Sequence, residues 1–93
     1  MLNVNEYFNG SVKSISFTGN SGPASVGVMR SGEYSFSTSS AEVMHIISGS
    51  AAVKLSSSDV WQTISAGEHF CVDANSSFLI KLSSDTAYLC EHH

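Results

Sequence analysis

With 93 residues, the chain has room for one domain and a modest core, for which 42% hydrophobic and 10% aromatic side chains suffice. No apolar run approaches the ~20 residues a membrane-spanning helix needs, and the stretch Met1-Leu2-Asn3-Val4-Asn5-Glu6 has no basic start leading into an apolar segment, so no secretory leader is read and the cytoplasm is the expected location. The formal charge of -4 rests on 8 acidic and 4 basic side chains, with Lys13, Arg30, Lys54 and Lys81 scattered, which excludes nucleic-acid polymers and anionic membranes as partners because both need clustered positive charge.

Taken in chain order, the sequence predicts short strands and almost nothing else. SVKSISF comes first and places Lys13 on the same face as Ile15 and Phe17, at the rim of a barrel mouth or snorkelling past the core edge. TGNSGPAS, Thr18 to Ser25, holds the only proline and is expected to be a surface loop. ASVGVM follows, then GEYSFST, whose alternation turns Tyr34, Phe36 and Thr38 to one face and Glu33, Ser35 and Ser37 to the other, with Tyr34 and Phe36 inward. VMHIIS, SAAVKLS, VWQTI, HFCV, FLIKL and AYLC complete about nine strands, rich in β-branched and aromatic residues and bounded by Gly, Ser, Asn and Asp clusters. No useful stretch repeats apolar residues at helical spacing; Ser37 to Val43 comes nearest, and its serines suit a turn. Such a series means a single all-β domain over residues 1–93, a small barrel or sandwich closed to protect its edges.

Cys71 and Cys90 are too few for a disulfide framework and lack CxxC spacing, so both are expected to be reduced, buried thiols. His45, between apolar neighbours, and His69, after Gly67-Glu68, are expected to be structural or surface side chains. Glu91-His92-His93 ends the sequence as a purification tag often begins, so His92 and His93 are kept out of the expected site.

The stretch GEYSFSTSSAEVMHIISGS has the frame of the first cupin motif, a glycine, five residues, His-x-His, a glutamate and a later glycine. Gly32, Glu42 and Gly49 fall on that frame, while the two histidine positions hold Thr38 and Ser40. GEHFCVDANSSF resembles the second motif from Gly67, with Asp73 and Asn75 at its turn and Phe78 where its histidine would stand. Of four motif ligands only Glu42 remains, and one carboxylate does not hold a divalent ion that wants three or four donors, so no metal and no organic cofactor are expected. The fold expected on this resemblance is a small cupin-like jelly-roll β-barrel.

NEYFNGSVKSISF, ASVGVM, GEYSFST, VMHIISG, the tryptophan of DVWQTISAG and YLC are similar, in order and spacing over nearly the whole chain, to the pyrimidine/purine nucleoside phosphorylase family of very small cupins. The resemblance implies phosphorolysis of purine and pyrimidine nucleosides, with inorganic phosphate as co-substrate, free base and pentose 1-phosphate as products, and a homodimer as the assembly. Residue chemistry suits that expectation. Glu42 is the candidate catalytic carboxylate, able to accept hydrogen bonds from ribose hydroxyls and to favour developing positive charge. Tyr34, Phe36, Phe78 and Tyr88 offer ring faces to a base, Thr38 and Ser40 offer hydroxyls to phosphate, and Lys13 is the one basic residue within a family-like segment.

Each assignment has a structural counterpart: inward aromatics fill small cores, Ser and Thr shape strands and turns, and a glutamate beside an apolar strand can simply begin it. The alternative function is therefore a non-catalytic cupin that binds a nucleoside or a similar small aromatic compound. A metal-dependent oxygenase or isomerase is disfavoured by the missing histidines.

Overall fold

The computed structural model describes all 93 residues. Ten strands follow one another: β1 Asn3–Tyr7, β2 Val12–Gly19, β3 Gly22–Met29, β4 Gly32–Ser37, β5 Glu42–Ser48, β6 Ser50–Leu55, β7 Gln62–Ser65, β8 His69–Val72, β9 Ser77–Leu82 and β10 Thr86–His92. A single 3-10 turn, Phe8–Gly10, joins β1 to β2. No helix is long and apolar enough to cross a membrane.

The strands form a six-stranded sheet in the order β1-β2-β3-β10-β5-β8 and a four-stranded sheet in the order β4-β9-β6-β7. Every pairing is antiparallel. The core lies between the sheets: Val12, Met29, Met44, Ile46, Phe70 and Val72 from the larger meet Ala51, Val53, Ile64, Phe78, Ile80 and Leu82 from the smaller. This is the expected cupin-like jelly roll. Its two sheets are not hydrogen-bonded into one continuous cylinder, because burying their apolar faces against each other satisfies the core without closure.

Two local expectations are corrected. TGNSGPAS is no loop: β2 runs to Gly19, β3 starts at Gly22, and these two glycines pair across a turn of Asn20 and Ser21. Pro23 fits this hairpin because it pairs with Thr18 beyond the stretch of β3 that β10 covers, which starts at Ala24, so its missing N–H interrupts no ladder. The second correction concerns β2. Val12, Ser14 and Ser16 face the interior, while Lys13, Ile15 and Phe17 lie on the outer, exposed face. β1 was not legible as a strand, since NVNEY lacks apolar alternation; it forms because its backbone adds to the edge of β2 in full register from Asn3↔Ser16 to Tyr7↔Val12.

Candidate functional site

Register assembles the site. Across the inner face of the six-stranded sheet one row reads Asn5, Ser14, Gly27 and Tyr88, and the next reads Ser16, Ser25, Cys90 and Met44. A third brings His92 of β10 directly opposite Glu42 of β5. These rows, with Phe36 and Ser37 of β4 and Phe78 of β9, line a cavity of about 290 Å³. That volume is at the lower end of the ~300–1,000 Å³ typical of small-molecule sites.

The cavity has two chemically different sides. Phe36 and Phe78 stack with centroids 5.5 Å apart and planes inclined by 27°, and Tyr7 meets Phe36 edge-on at 6.4 Å. Opposite them lie the hydroxyls of Ser14, Ser16 and Ser25 and the carboxylate of Glu42. Asn5 Nδ2 donates to Ser16 Oγ at 2.9 Å and to Ser14 Oγ at 3.2 Å, which fixes the serine row from the edge strand. Gly27 is required there: a Cβ would come within 2.5 Å of the Lys13 carbonyl oxygen and 2.9 Å of Tyr88 Oη, so a bare backbone lets Tyr88 cross toward Ser14.

Burial dominates the electrostatics of this wall. It raises the Tyr88 hydroxyl from its ordinary 10.0 to about 12, against the lowering effect of a hydrogen bond from Ser14. The Cys90 thiol is pushed up as well, first by burial and then by the negative charge of Glu42. Both groups are therefore neutral at ordinary pH. Glu42, whose side chain is 16% exposed, lies beside His92, Oε2 to Nδ1 3.5 Å. The Glu42, Cys90 and His92 ligand atoms all lie within 4.8 Å of one another.

Of the residues singled out from the sequence, Phe36, Glu42, Phe78 and Tyr88 converge on this cavity, and four do not line it. Thr38 is buried, and its hydroxyl donates to the Asp73 carbonyl at 2.6 Å and accepts the Ser76 N–H at 3.1 Å, so the position that would hold a histidine instead fastens β4 to the turn before β9. Ser40 is half-buried beyond the lining. Tyr34 packs on Phe8 at 5.0 Å and donates its hydroxyl to the Arg30 carbonyl at 2.7 Å. Lys13 points outward and pairs with Glu6 at 3.4 Å, because the face it shares with Ile15 and Phe17 is the exterior one.

The usual cupin ligand set therefore does not fit this chain: Thr38 is engaged, Ser40 lies outside and Phe78 is in an aromatic stack. The residues missed from the sequence are Cys90 and His92, together with Asn5 and the serine row. Alternation in AYLCEHH carries the signal, since Tyr88, Cys90 and His92 share one face of β10. Cys71, expected to be buried, is exposed, whereas Cys90 is buried as expected. His45 is held by Glu91, Nε2 to Oε1 2.6 Å, and takes no part in the cavity.

Comparison with known proteins matches residues 2–92 to the family model described as pyrimidine/purine nucleoside phosphorylase. A protein of that name from Pseudomonas putida (strain GB-1) is 58% identical over 92 residues, 99% of this chain and 98% of its own. A crystal structure of a Vibrio parahaemolyticus protein of unknown function superposes with a TM-score of 0.93 at 44% identity, covering 98% of this chain and 97% of that one. An RmlC-like cupin from Shewanella frigidimarina, at 17% identity and a TM-score of 0.75 over 97% of this chain and 81% of its own, shares the fold.

Proposed function

The chain belongs to the pyrimidine/purine nucleoside phosphorylase family, and from that membership we propose that it splits purine and pyrimidine nucleosides with inorganic phosphate, without a metal, to free base and pentose 1-phosphate. The observation that carries the reading is the two-sided cavity, aromatic on the Phe36 and Phe78 side and hydroxylic and anionic on the Ser14, Ser16, Ser25 and Glu42 side, which suits the two halves of a nucleoside.

In this reaction a phosphate oxygen forms a bond to the anomeric carbon as the C–N bond breaks, and the bonding pair leaves with the base. The sugar passes through an oxocarbenium-like state. Glu42 accepts hydrogen bonds from the ribose hydroxyls and stabilises the positive charge as it develops. Contacts with Phe36 and Phe78 hold the base through its π-face, which every base has, and so tolerate both purines and pyrimidines. With Thr38 committed to backbone partners and Lys13 turned outward, phosphate falls to the serine hydroxyls and to Tyr88, a neutral donor at working pH. The nucleophile arrives from solution already charged, and a metal-bound hydroxide has no role.

The molecule works as a homodimer in this reading. Val4, Ile15, Val26 and Val28 are all at least 38% exposed on the outer face of the six-stranded sheet, where a second copy would cover them. Two free thiols, Cys71 exposed among them, suit a reducing cytoplasm.

The test is to incubate pure protein with uridine or adenosine, with and without phosphate, after exhaustive chelation. Free base and pentose 1-phosphate should form only with phosphate, and arsenate should substitute while leaving free pentose. Equal cleavage without phosphate would make the protein a hydrolase. Nucleoside binding without any product would leave the binding-protein reading, and activity lost on chelation and restored by metal would overturn the metal-free mechanism.

A further inference from the structure

We propose that Glu42, Cys90 and His92 form a binding site for one divalent transition-metal ion of the zinc type, which keeps the glutamate of the cupin motif and replaces its histidines with Cys90 and His92 of β10, and that an ion held there competes with nucleoside for the cavity. The competition rests on the nucleoside reading above; the site itself does not.

Three observations converge. The donors are one thiol, one imidazole and one carboxylate, the mixture that zinc-type ions accept, whereas calcium and magnesium take oxygen ligands. Their placement is set by the sheet: His92 sits directly across from Glu42, and Cys90 precedes it by two residues on the same face of β10. The Glu42 Oε2 to His92 Nδ1 distance of 3.5 Å is already close to the ~3.4 Å separating two ligands in a tetrahedral zinc site with bonds of about 2.1 Å. All three ligand atoms lie within 4.8 Å of one another, so bringing the thiol in requires a shift of about 1 Å.

The surroundings favour an ion. No lysine or arginine lines the cavity, so no permanent positive charge there repels a cation. A carboxylate and a thiolate together balance the two charges of the ion, which suits a partly buried position. The end of β10 is also tied down, because the His93 N–H donates to the Ala41 carbonyl at 2.7 Å beside Glu42. Three protein ligands leave a fourth position open toward the cavity, where the nucleoside would lie. An ion there engages the carboxylate that the sugar needs.

Cobalt(II) is the probe, because cobalt–thiolate ligation absorbs in the near ultraviolet and cobalt follows zinc in its geometry. Titration of the metal-free protein should give that band with an end point at one equivalent. Cys90→Ser should abolish the band, and His92→Ala and Glu42→Gln should each weaken binding at least tenfold. Cys71→Ser and His93→Ala should leave the titration unchanged. Saturating adenosine should weaken cobalt binding at least tenfold. No stoichiometric band, or a band that disappears in Cys71→Ser and not in Cys90→Ser, would overturn the site; should Cys90→Ser not fold, undiminished binding in both His92→Ala and Glu42→Gln would do the same. An unchanged cobalt affinity in adenosine would overturn the competition. Failure to form product in the absence of metal bears only on phosphorolysis, since the cobalt band reads the site without turnover.

Discussion

Glu42 is held in place by its cross-strand partner and shares the polar wall of the cavity with the serine hydroxyls, opposite Phe36 and Phe78. Glu42→Gln keeps its size and removes its charge, so kcat for phosphorolysis is expected to fall about 10²-fold or more with little change in thermal unfolding. Steady-state kinetics beside a melting curve checks both. Thr38→Val is expected to act oppositely: it strands the Ser76 N–H and the Asp73 carbonyl, costing roughly 1–3 kcal/mol of stability while leaving the KM for phosphate unchanged, as denaturant titration and kinetics would measure. Tyr88 and Cys90 make stability fall in alkali. Their folded-state pKa values lie above the ordinary 10.0 and 9.0, so the unfolded chain loses these protons first. Stability is therefore fully present below about pH 9 and lost progressively above it. The Tyr88 part, lost between pH 10 and about 12, amounts to about 3 kcal/mol at ~1.4 kcal/mol per pKa unit. Unfolding free energies measured across that range should fall less steeply in Tyr88→Phe.

At the level of strands, β2 explains why the sequence could be parsed into elements yet assigned to the wrong face. Period-two alternation in SVKSISF is plain, but the apolar members Ile15 and Phe17 point out and the serines point in. The usual rule is inverted because the interior there is a polar cavity, while the exterior is an apolar face. Val4, Ile15, Val26 and Leu89 stand side by side across β1, β2, β3 and β10. Burial of that row in the proposed homodimer gives a direct prediction: the parent chain should sediment as a dimer, and Val26→Asp, at a position 40% exposed in the single chain, should yield a folded monomer by sedimentation or light scattering. The same inversion hid the serine row, since Ser14 and Ser16 read as the solvent side of a half-buried strand.

For the molecule as a whole, topology decides what could be read in advance. The all-β class and the cupin frame were legible from turn residues and from Gly32, Glu42 and Gly49, which are local in sequence. The cavity was not, because its walls come from β1, β2, β3, β4, β5, β9 and β10, brought together only by the crossovers of the jelly roll. β10 is the extreme case: the last strand in sequence lies between β3 and β5 in the interior of the larger sheet and carries Tyr88, Cys90 and His92. Removing residues 87–93 leaves β3 and β5 with open edges and removes a buried tyrosine and cysteine, so the shortened chain should show no cooperative unfolding transition by circular dichroism.

The bonds made by Thr38 also constrain which new sites this fold can accept. A histidine placed at this position would not create a metal centre, because the ring would first displace the hydroxyl that joins β4 to the Asp73 and Ser76 backbone. A chain with this fastening is therefore kept from the motif's ligand set, because a histidine here loosens the turn before any ion could compensate. New chemistry in such a barrel is therefore expected to draw donors from positions outside the cupin motif.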